Sequence, residues 1–326
     1  MDPAPRRTGT RHLVDPEIAD PLDSFPPFDL TAESLPAVRR GMAALQAGRP
    51  DPRELFPAVL RTEERVRGVD GGPDVPVRLY RTGTSATPTA GLVWFHGGGF
   101  VMGTAADDDL MCSRLAAETG AVVVSVDYRL APETVAPGPV MDGYAALAWL
   151  AGHAEQLGVH PARLAVGGAS AGGGVAAAVA VLARDRGEIP LALQLLVYPM
   201  LDDRTASSIE PPAHAGEFVW TARDNRFGWA ALLGRPPGGP DTSPYAAAAR
   251  APDVTGLPPT FLAVGALDLF LEEDVEFARR LIRAGVPTEL HVYPGCYHGF
   301  TMVPTARVST AHDRNVLAAL SRLCEG

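Results

Sequence analysis

With 326 residues, 46% of them hydrophobic, the chain can bury one large core, or a core with a lid, and two unrelated domains fit it poorly. A formal net charge of −10 argues against nucleic acid as a partner. The three cysteines, Cys112, Cys296 and Cys324, stand in unlike contexts, which suits reduced thiols in a cytoplasmic protein and not a disulfide framework or a zinc site.

All 28 basic residues are arginine, a sign of coding bias with no mechanistic weight. Arg6-Arg7 is followed by Thr-Gly-Thr-Arg-His where an export signal would turn apolar, so no such signal is expected. The longest apolar run, around 175–183, is too short and too rich in alanine to span a membrane.

In chain order, residues 1 to about 30 are rich in proline and aspartate and read as an irregular arm with short helical turns. Thr31 can cap a helix in which Leu35, Val38, Met42 and Leu45 share a face, either a piece of a lid or a plain surface helix. From Glu63 the pattern alternates: Glu64 to Val69 and Val75 to Arg81, around Asp70-Gly-Gly-Pro-Asp74, predict an antiparallel hairpin. Gly91-Leu-Val-Trp-Phe95 is a buried strand that runs into His96-Gly97-Gly98-Gly99-Phe100, with a helix from about Ala106.

Chance gives His-Gly-Gly-Gly only about 0.01 times in a chain of this composition. Three glycines let a backbone approach a carbonyl, so that the N–H groups of Gly97 and Gly98 can join another donor in an oxyanion hole. A plain glycine loop between strand and helix is the bland alternative. Gly120 to Val126 is a continuous apolar strand of parallel-sheet type ending in Asp127-Tyr128-Arg129, polar residues read as structural. Val140 to Leu157 has helical spacing of Met141, Tyr144, Leu147 and Leu150.

Next, Leu164-Ala-Val166 leads into Gly168-Ala169-Ser170-Ala171-Gly172, a G-x-S-x-G string followed by an alanine-rich helical pattern from Val175 to Arg184. On a tight strand-to-helix turn a serine is lifted clear of the sheet, and the Ala171 N–H at the helix start points where an oxyanion develops. The string alone is weak, with about 0.1 chance matches expected. Gly172-Gly-Gly174-Val-Ala-Ala177 also fits a dinucleotide fingerprint, but it begins two residues past the serine, inside the expected helix, where a pyrophosphate could not dock.

Leu191 to Tyr198 is the next core strand. Residues 202–245 then break the strand–helix rhythm with Asp202-Asp203, several prolines, and Phe218, Trp220, Phe227 and Trp229, which suggests a cap whose aromatics either line the site or form the cap's own core. Pro259 to Gly265 is a strand followed by Asp268. Glu272, Glu273 and Asp274 compete with Asp268 as the acid, but they sit where a helix begins and read as first-turn acids favoured by the helix dipole. Val286 to Tyr293 is the last strand, followed by a loop with Cys296, read as a small buried thiol, and His298; a helix over about 306–323 closes the chain.

Taken together, His96-Gly-Gly-Gly-Phe100, Asp127-Tyr-Arg-Leu-Ala-Pro-Glu133, Gly168-Ala-Ser-Ala-Gly-Gly173, Val197-Tyr-Pro-Met-Leu-Asp202, Leu257-Pro-Pro259 and His298-Gly-Phe300 make the chain resemble the hormone-sensitive-lipase-like (bacterial family IV) carboxylesterases of the α/β-hydrolase superfamily, over about residues 60–325. It departs from the family at Ala169, where aspartate or threonine is frequent, and at Asp268-Leu-Phe, where many members have proline after the aspartate.

The resemblance implies an α/β-hydrolase fold: a mostly parallel eight-stranded sheet flanked by helices, with a helical cap. The expected divisions are an arm and cap helix over 1–55, core over 56–201, cap insertion over 202–245 and core again over 246–326. Ser170, Asp268 and His298 follow the superfamily's order of nucleophile, acid and base, with His96 as the competing base; Gly97, Gly98 and Ala171 are the expected oxyanion donors.

The implied activity is serine carboxylesterase on short- to medium-chain esters, with no cofactor and no metal. Lactonase, amidase or acyltransferase chemistry on the same triad, and a non-catalytic small-molecule receptor, stand as alternatives. A small-molecule ester is the expected partner, with neither nucleic acid nor membrane, and resemblance adds a possible homodimer.

Overall fold

The computed structural model describes residues 9–23, 28–83 and 87–325. Residues 1–8, with the twin arginine, and 24–27 of the expected arm lie outside the described residues. The rest of the arm forms 3-10 turns over Arg11–Leu13, Pro16–Ile18 and Asp20–Asp23, then helices α1 (Leu35–Ala47) and α2 (Pro52–Leu55).

The core follows as β1 (Leu60–Val66), β2 (Val75–Arg81), β3 (Thr89–Phe95), α3 (Asp109–Thr119), β4 (Val122–Val126), α4 (Gly138–Gly152), α5 (Ala154–Leu157), β5 (Val159–Ala169), α6 (Ala171–Arg186) and β6 (Leu193–Val197). After it come α7 (Ala222–Leu233), β7 (Thr260–Gly265), α8 (Leu271–Arg283), β8 (Thr288–Tyr293) and α9 (Arg307–Glu325).

All eight strands form one sheet in the order β1-β2-β4-β3-β5-β6-β7-β8. The β1–β2 hairpin is antiparallel, β2 also runs antiparallel to β4, and every later pairing is parallel. Sequence character follows position. Central strands β4, β6 and β7 are buried along their whole length and are apolar but for Ser125, Gln194 and Thr260, because helices cover both faces. In β2, by contrast, Val75, Val77 and Leu79 are buried between the half-exposed Pro76 and Arg78, the alternation of a strand with one wetter face.

Helix α6 begins at Ala171, directly after Ser170 and four residues before the start that the alanine pattern suggested. Its first turn is Ala-Gly-Gly-Gly, whose backbone packs where side chains could not. A Cβ on Gly172 would lie 2.0 Å from the Phe95 carbonyl oxygen of β3, and one on Gly174 would lie 2.1 Å from that of Met200. The expected insertion at 202–245 contains one α-helix, α7, among turns.

The arm is sewn onto the C-terminal edge of this sheet. Asp15 N–H donates to the Gly295 carbonyl at 3.0 Å, Tyr297 Oη donates to the Ile18 carbonyl at 2.8 Å, and Arg307 pairs with Glu17. Further along, Leu30 N–H donates to Asp224 at the start of α7, at 2.8 Å, and Asp29 pairs with Arg223. Among the described residues no helix is long and apolar enough to cross a membrane.

Candidate active site

Parallel strands end on one side of the sheet, and loops that leave β3, β5, β7 and β8 there meet over the chain's middle. Ser170 follows β5 with φ 57° and ψ −123°, outside the regions an ordinary residue prefers. Bonds on both sides hold it there: its N–H donates to the Val197 carbonyl and its own carbonyl accepts from Met200 N–H, each at 2.9 Å. The strain is supported by neighbouring strands, and the hydroxyl is thereby aimed away from the sheet.

His298 comes from the loop after β8. Its Nε2 lies 2.9 Å from Ser170 Oγ, and its Nδ1 lies 2.8 Å from Asp268 Oδ2 in the loop after β7. Asp268 is fully buried, and its second oxygen accepts the Phe270 N–H at 3.0 Å. A carboxylate so placed fixes the imidazole tautomer, leaving Nε2 free to accept the hydroxyl proton. Three aromatic rings enclose the imidazole: Tyr198 with centroids 4.9 Å apart, Phe270 at 5.1 Å and Trp220 at 6.4 Å.

The glycine loop after β3 faces the serine. A Cβ on Gly97 would lie 3.5 Å from Ser170 Cβ, and Ala171 opens the helix that Ser170 precedes. Among the described residues no backbone carbonyl takes the N–H of Gly97, Gly98 or Ala171. Donors gathered beside a nucleophile and left without an internal acceptor are what a developing oxyanion requires.

His96, the competing base, turns away from the serine. Its Nδ1 lies 2.7 Å from the Gly97 carbonyl, and its ring stacks on Tyr128 at 4.3 Å while Tyr128 Oη donates to the His96 carbonyl at 2.8 Å. The polar trio after β4 thus braces the glycine loop: Arg129 is bound to Asp142, and Asp127 accepts the Ala105 N–H.

Glu272, Glu273 and Asp274 do lie in the first turn of α8, but the dipole reading is incomplete. Glu273 is buried, accepts the Leu201 N–H at 2.6 Å and takes a bond from the Thr205 hydroxyl, tying α8 to the segment after β6. Asp274 is fully buried and has no hydrogen-bond partner among the described residues. Burial pushes both carboxyls well above the usual range, and Asp274 has no hydrogen bond among the described residues to offset it. Burial likewise pushes the Cys296 thiol up to about 12, which makes it unreactive.

Sequence reasoning missed one contributor. Arg39 of α1 donates to the Val101 carbonyl at 2.7 Å and the Ala131 carbonyl at 2.9 Å and grips Glu133 with two bonds, anchoring the arm helix just past the glycine loop. An arginine on an otherwise apolar stripe was the available signal. The cap aromatics divide between both expectations: Trp220 and Phe218 reach the site's rim, against His298 and Tyr297, whereas Trp229 packs internally on Phe100.

Among the described residues no cluster of three or more His, Cys, Asp or Glu side chains is placed to hold a metal ion. A family model described as the alpha/beta hydrolase fold matches residues 92–302. Carboxylesterase NlhH of Mycobacterium tuberculosis is 36% identical over 320 residues, covering 97% of this chain and 98% of that protein.

Two solved structures are similar throughout. A bacterial heroin esterase superposes with a TM-score of 0.87 at 41% identity, covering 97% of this chain and 99% of the other. Esterase LipW from Mycobacterium marinum gives 0.84 at 34% identity, with 96% of each chain covered.

Proposed function

For a chain that belongs to the hormone-sensitive-lipase-like family of α/β-hydrolases and is a carboxylic ester hydrolase, we propose a serine mechanism carried by Ser170, His298 and Asp268. His298 Nε2 takes the proton from Ser170 Oγ as that oxygen attacks the ester carbonyl carbon. The carbonyl oxygen becomes an oxyanion, held by the N–H groups of Gly97, Gly98 and Ala171. Collapse of the tetrahedral adduct breaks the bond to the alkoxy oxygen, which leaves with the proton from His298. Water, deprotonated by the same imidazole, then attacks the acyl-serine and releases the acid.

One observation carries this reading: a 2.9 Å contact joins Ser170 Oγ to an imidazole whose far nitrogen is already engaged by a buried carboxylate. The near-complete burial of Ser170 and His298, 6% and 5% exposed, favours short to medium acyl chains over long ones. In the same reading the arm and cap helix of 1–55 and the insertion at 202–245 cover the two halves of the core, 56–201 and 246–326. The free cysteines favour action in the cytoplasm, on small-molecule esters, and a homodimer completes the proposal.

The test is intact-protein mass with peptide mapping after a serine-directed organophosphonate, beside hydrolysis of 4-nitrophenyl esters from acetate to palmitate. A single adduct on Ser170, loss of turnover on labelling and in Ser170→Ala, and a rate maximum at octanoate or shorter are expected. An adduct elsewhere, or turnover surviving in Ser170→Ala, overturns the mechanism. A maximum at palmitate overturns the chain-length reading.

A further inference from the structure

Trp220 spans the site between its two chemically distinct sides. At one end its six-membered ring lies over the glycine loop: a Cβ on Gly99 would sit 2.1 Å from Trp220 Cη2, and Gly99 has φ +60°. The third glycine therefore makes room for this indole. At the other end the ring is tilted at 43° toward His298, with centroids 6.4 Å apart.

The side chain is 2% exposed and pinned at its polar tip, where Nε1 donates to Asn225 Oδ1 at 3.2 Å while Asn225 donates to the Thr205 carbonyl at 2.9 Å. Phe28 of the arm meets it edge-on at 6.2 Å.

The backbone is bent to deliver it. Trp220 N–H donates to the Phe218 carbonyl two residues back, at 2.7 Å, and the residue between, Val219, has φ +63°. This is a γ-turn of the rare, strained kind, built around a β-branched residue that the left-handed region penalises heavily. Strain of this sort persists only where the surroundings enforce it, and it is concentrated where a side chain must be aimed.

Reaction geometry says which half of an ester meets the indole. In the serine mechanism proposed above, on which this inference rests, the carbonyl oxygen faces the glycine loop and the alkoxy oxygen must come within hydrogen-bond reach of His298 Nε2 to be protonated. A ring that reaches from the loop to His298 thus borders the alkoxy group. We propose that Trp220 sets the size of the alcohol half of the substrate, as a rigid wall that admits small alkoxy groups and excludes bulky ones.

Two ester series read this on Trp220→Ala and Trp220→Phe: acetates of methanol, butanol and benzyl alcohol, and 4-nitrophenyl esters from acetate to octanoate. The ratio of kcat/KM for benzyl acetate over methyl acetate should rise at least ~10-fold in Trp220→Ala and less in Trp220→Phe, with the acyl-length maximum unmoved. An unchanged ratio, a uniform loss on all esters, or a shift in the acyl series instead would each overturn the assignment.

Should the alanine variant fail to fold, Trp220→Leu carries the same ratio test. Turnover of 4-nitrophenyl acetate by the unaltered enzyme, and its absence in Ser170→Ala, report on the serine mechanism separately.

Discussion

His298 Nε2 and Ser170 Oγ lie 2.9 Å apart although 128 residues separate them in the chain. Neither side chain is free to drift. Ser170 is locked into an unfavourable backbone by Val197 and Met200, and His298 is held by Asp268 and three aromatic rings.

Asp268→Asn should therefore disable without unfolding. The amide can donate to Nδ1, favouring the tautomer whose Nε2 carries the proton and cannot accept another. We expect kcat to fall by about 10³- to 10⁴-fold, with a circular dichroism spectrum like that of the unaltered protein. A loss of less than tenfold in steady-state hydrolysis would place the orienting acid elsewhere.

Glycine substitutions should separate close approach from mere flexibility. Gly172→Ala puts a methyl 2.0 Å from the Phe95 carbonyl and should cost about 2 kcal/mol or more, whereas Gly41, within α1 with nothing in 4 Å of its notional Cβ, should gain about 0.5–1 kcal/mol as alanine. Denaturant unfolding of both variants gives the signs directly.

Asp274 predicts a pH dependence of stability. Its folded pKa is raised well above 3.8 by burial, so its favourable contribution is complete below the unfolded pKa and drains away as pH climbs toward the folded value. Asp274→Asn removes this slope. Relative to the unaltered protein the variant should gain up to about 1.4 kcal/mol per pH unit as pH rises above the unfolded value toward the raised folded one. Urea unfolding at pH 4, 5.5 and 7 checks it, and a difference that stays flat across the three would refute a carboxyl raised by burial.

Arg39→Ala tests the anchor of the arm helix. Glu133, held down at about 2 chiefly by its hydrogen bonds to Arg39, should climb toward 4.5 in the variant, which a carboxyl NMR titration would follow. That carboxylate is largely exposed, so its share of stability is small and is lost only as pH falls from 4.5 through about 2. The larger effect is expected in kcat/KM, down about tenfold as the loop beyond Gly99 loosens. An unchanged kcat/KM would reduce Arg39 to a surface contact.

What could be read from residues alone tracks how locally each feature is determined. Valine- and leucine-rich runs announce central strands because both faces of the sheet are covered, and His96-Gly-Gly-Gly and Gly168-Ala-Ser-Ala-Gly mark turns whose glycines are required by neighbouring backbone or, at Gly99, by the Trp220 indole. Segment 202–221 has no such period. The position of Trp220 depends on a γ-turn at Val219, on Asn225 and on Gly99, the last of them far away in the chain. Glu273 and Asp274 read as dipole acids because a first-turn carboxylate looks the same whether it faces water or Leu201. Burial distinguishes them, and burial belongs to the assembled fold.

The stitches between residues 15–18 and the loop of His298 have a practical side. Asp15 holds Gly295 and Ile18 holds Tyr297, so the loop that carries His298 rests partly on a segment near the chain's beginning. Any carrier, surface linkage or fusion partner that pulls on the arm loads the His298 loop directly, and deleting the arm removes one of that loop's supports. Immobilisation for biocatalysis is better attached through the exposed face of α8, where Glu272, Arg279 and Ile282 are exposed and lie outside these contacts.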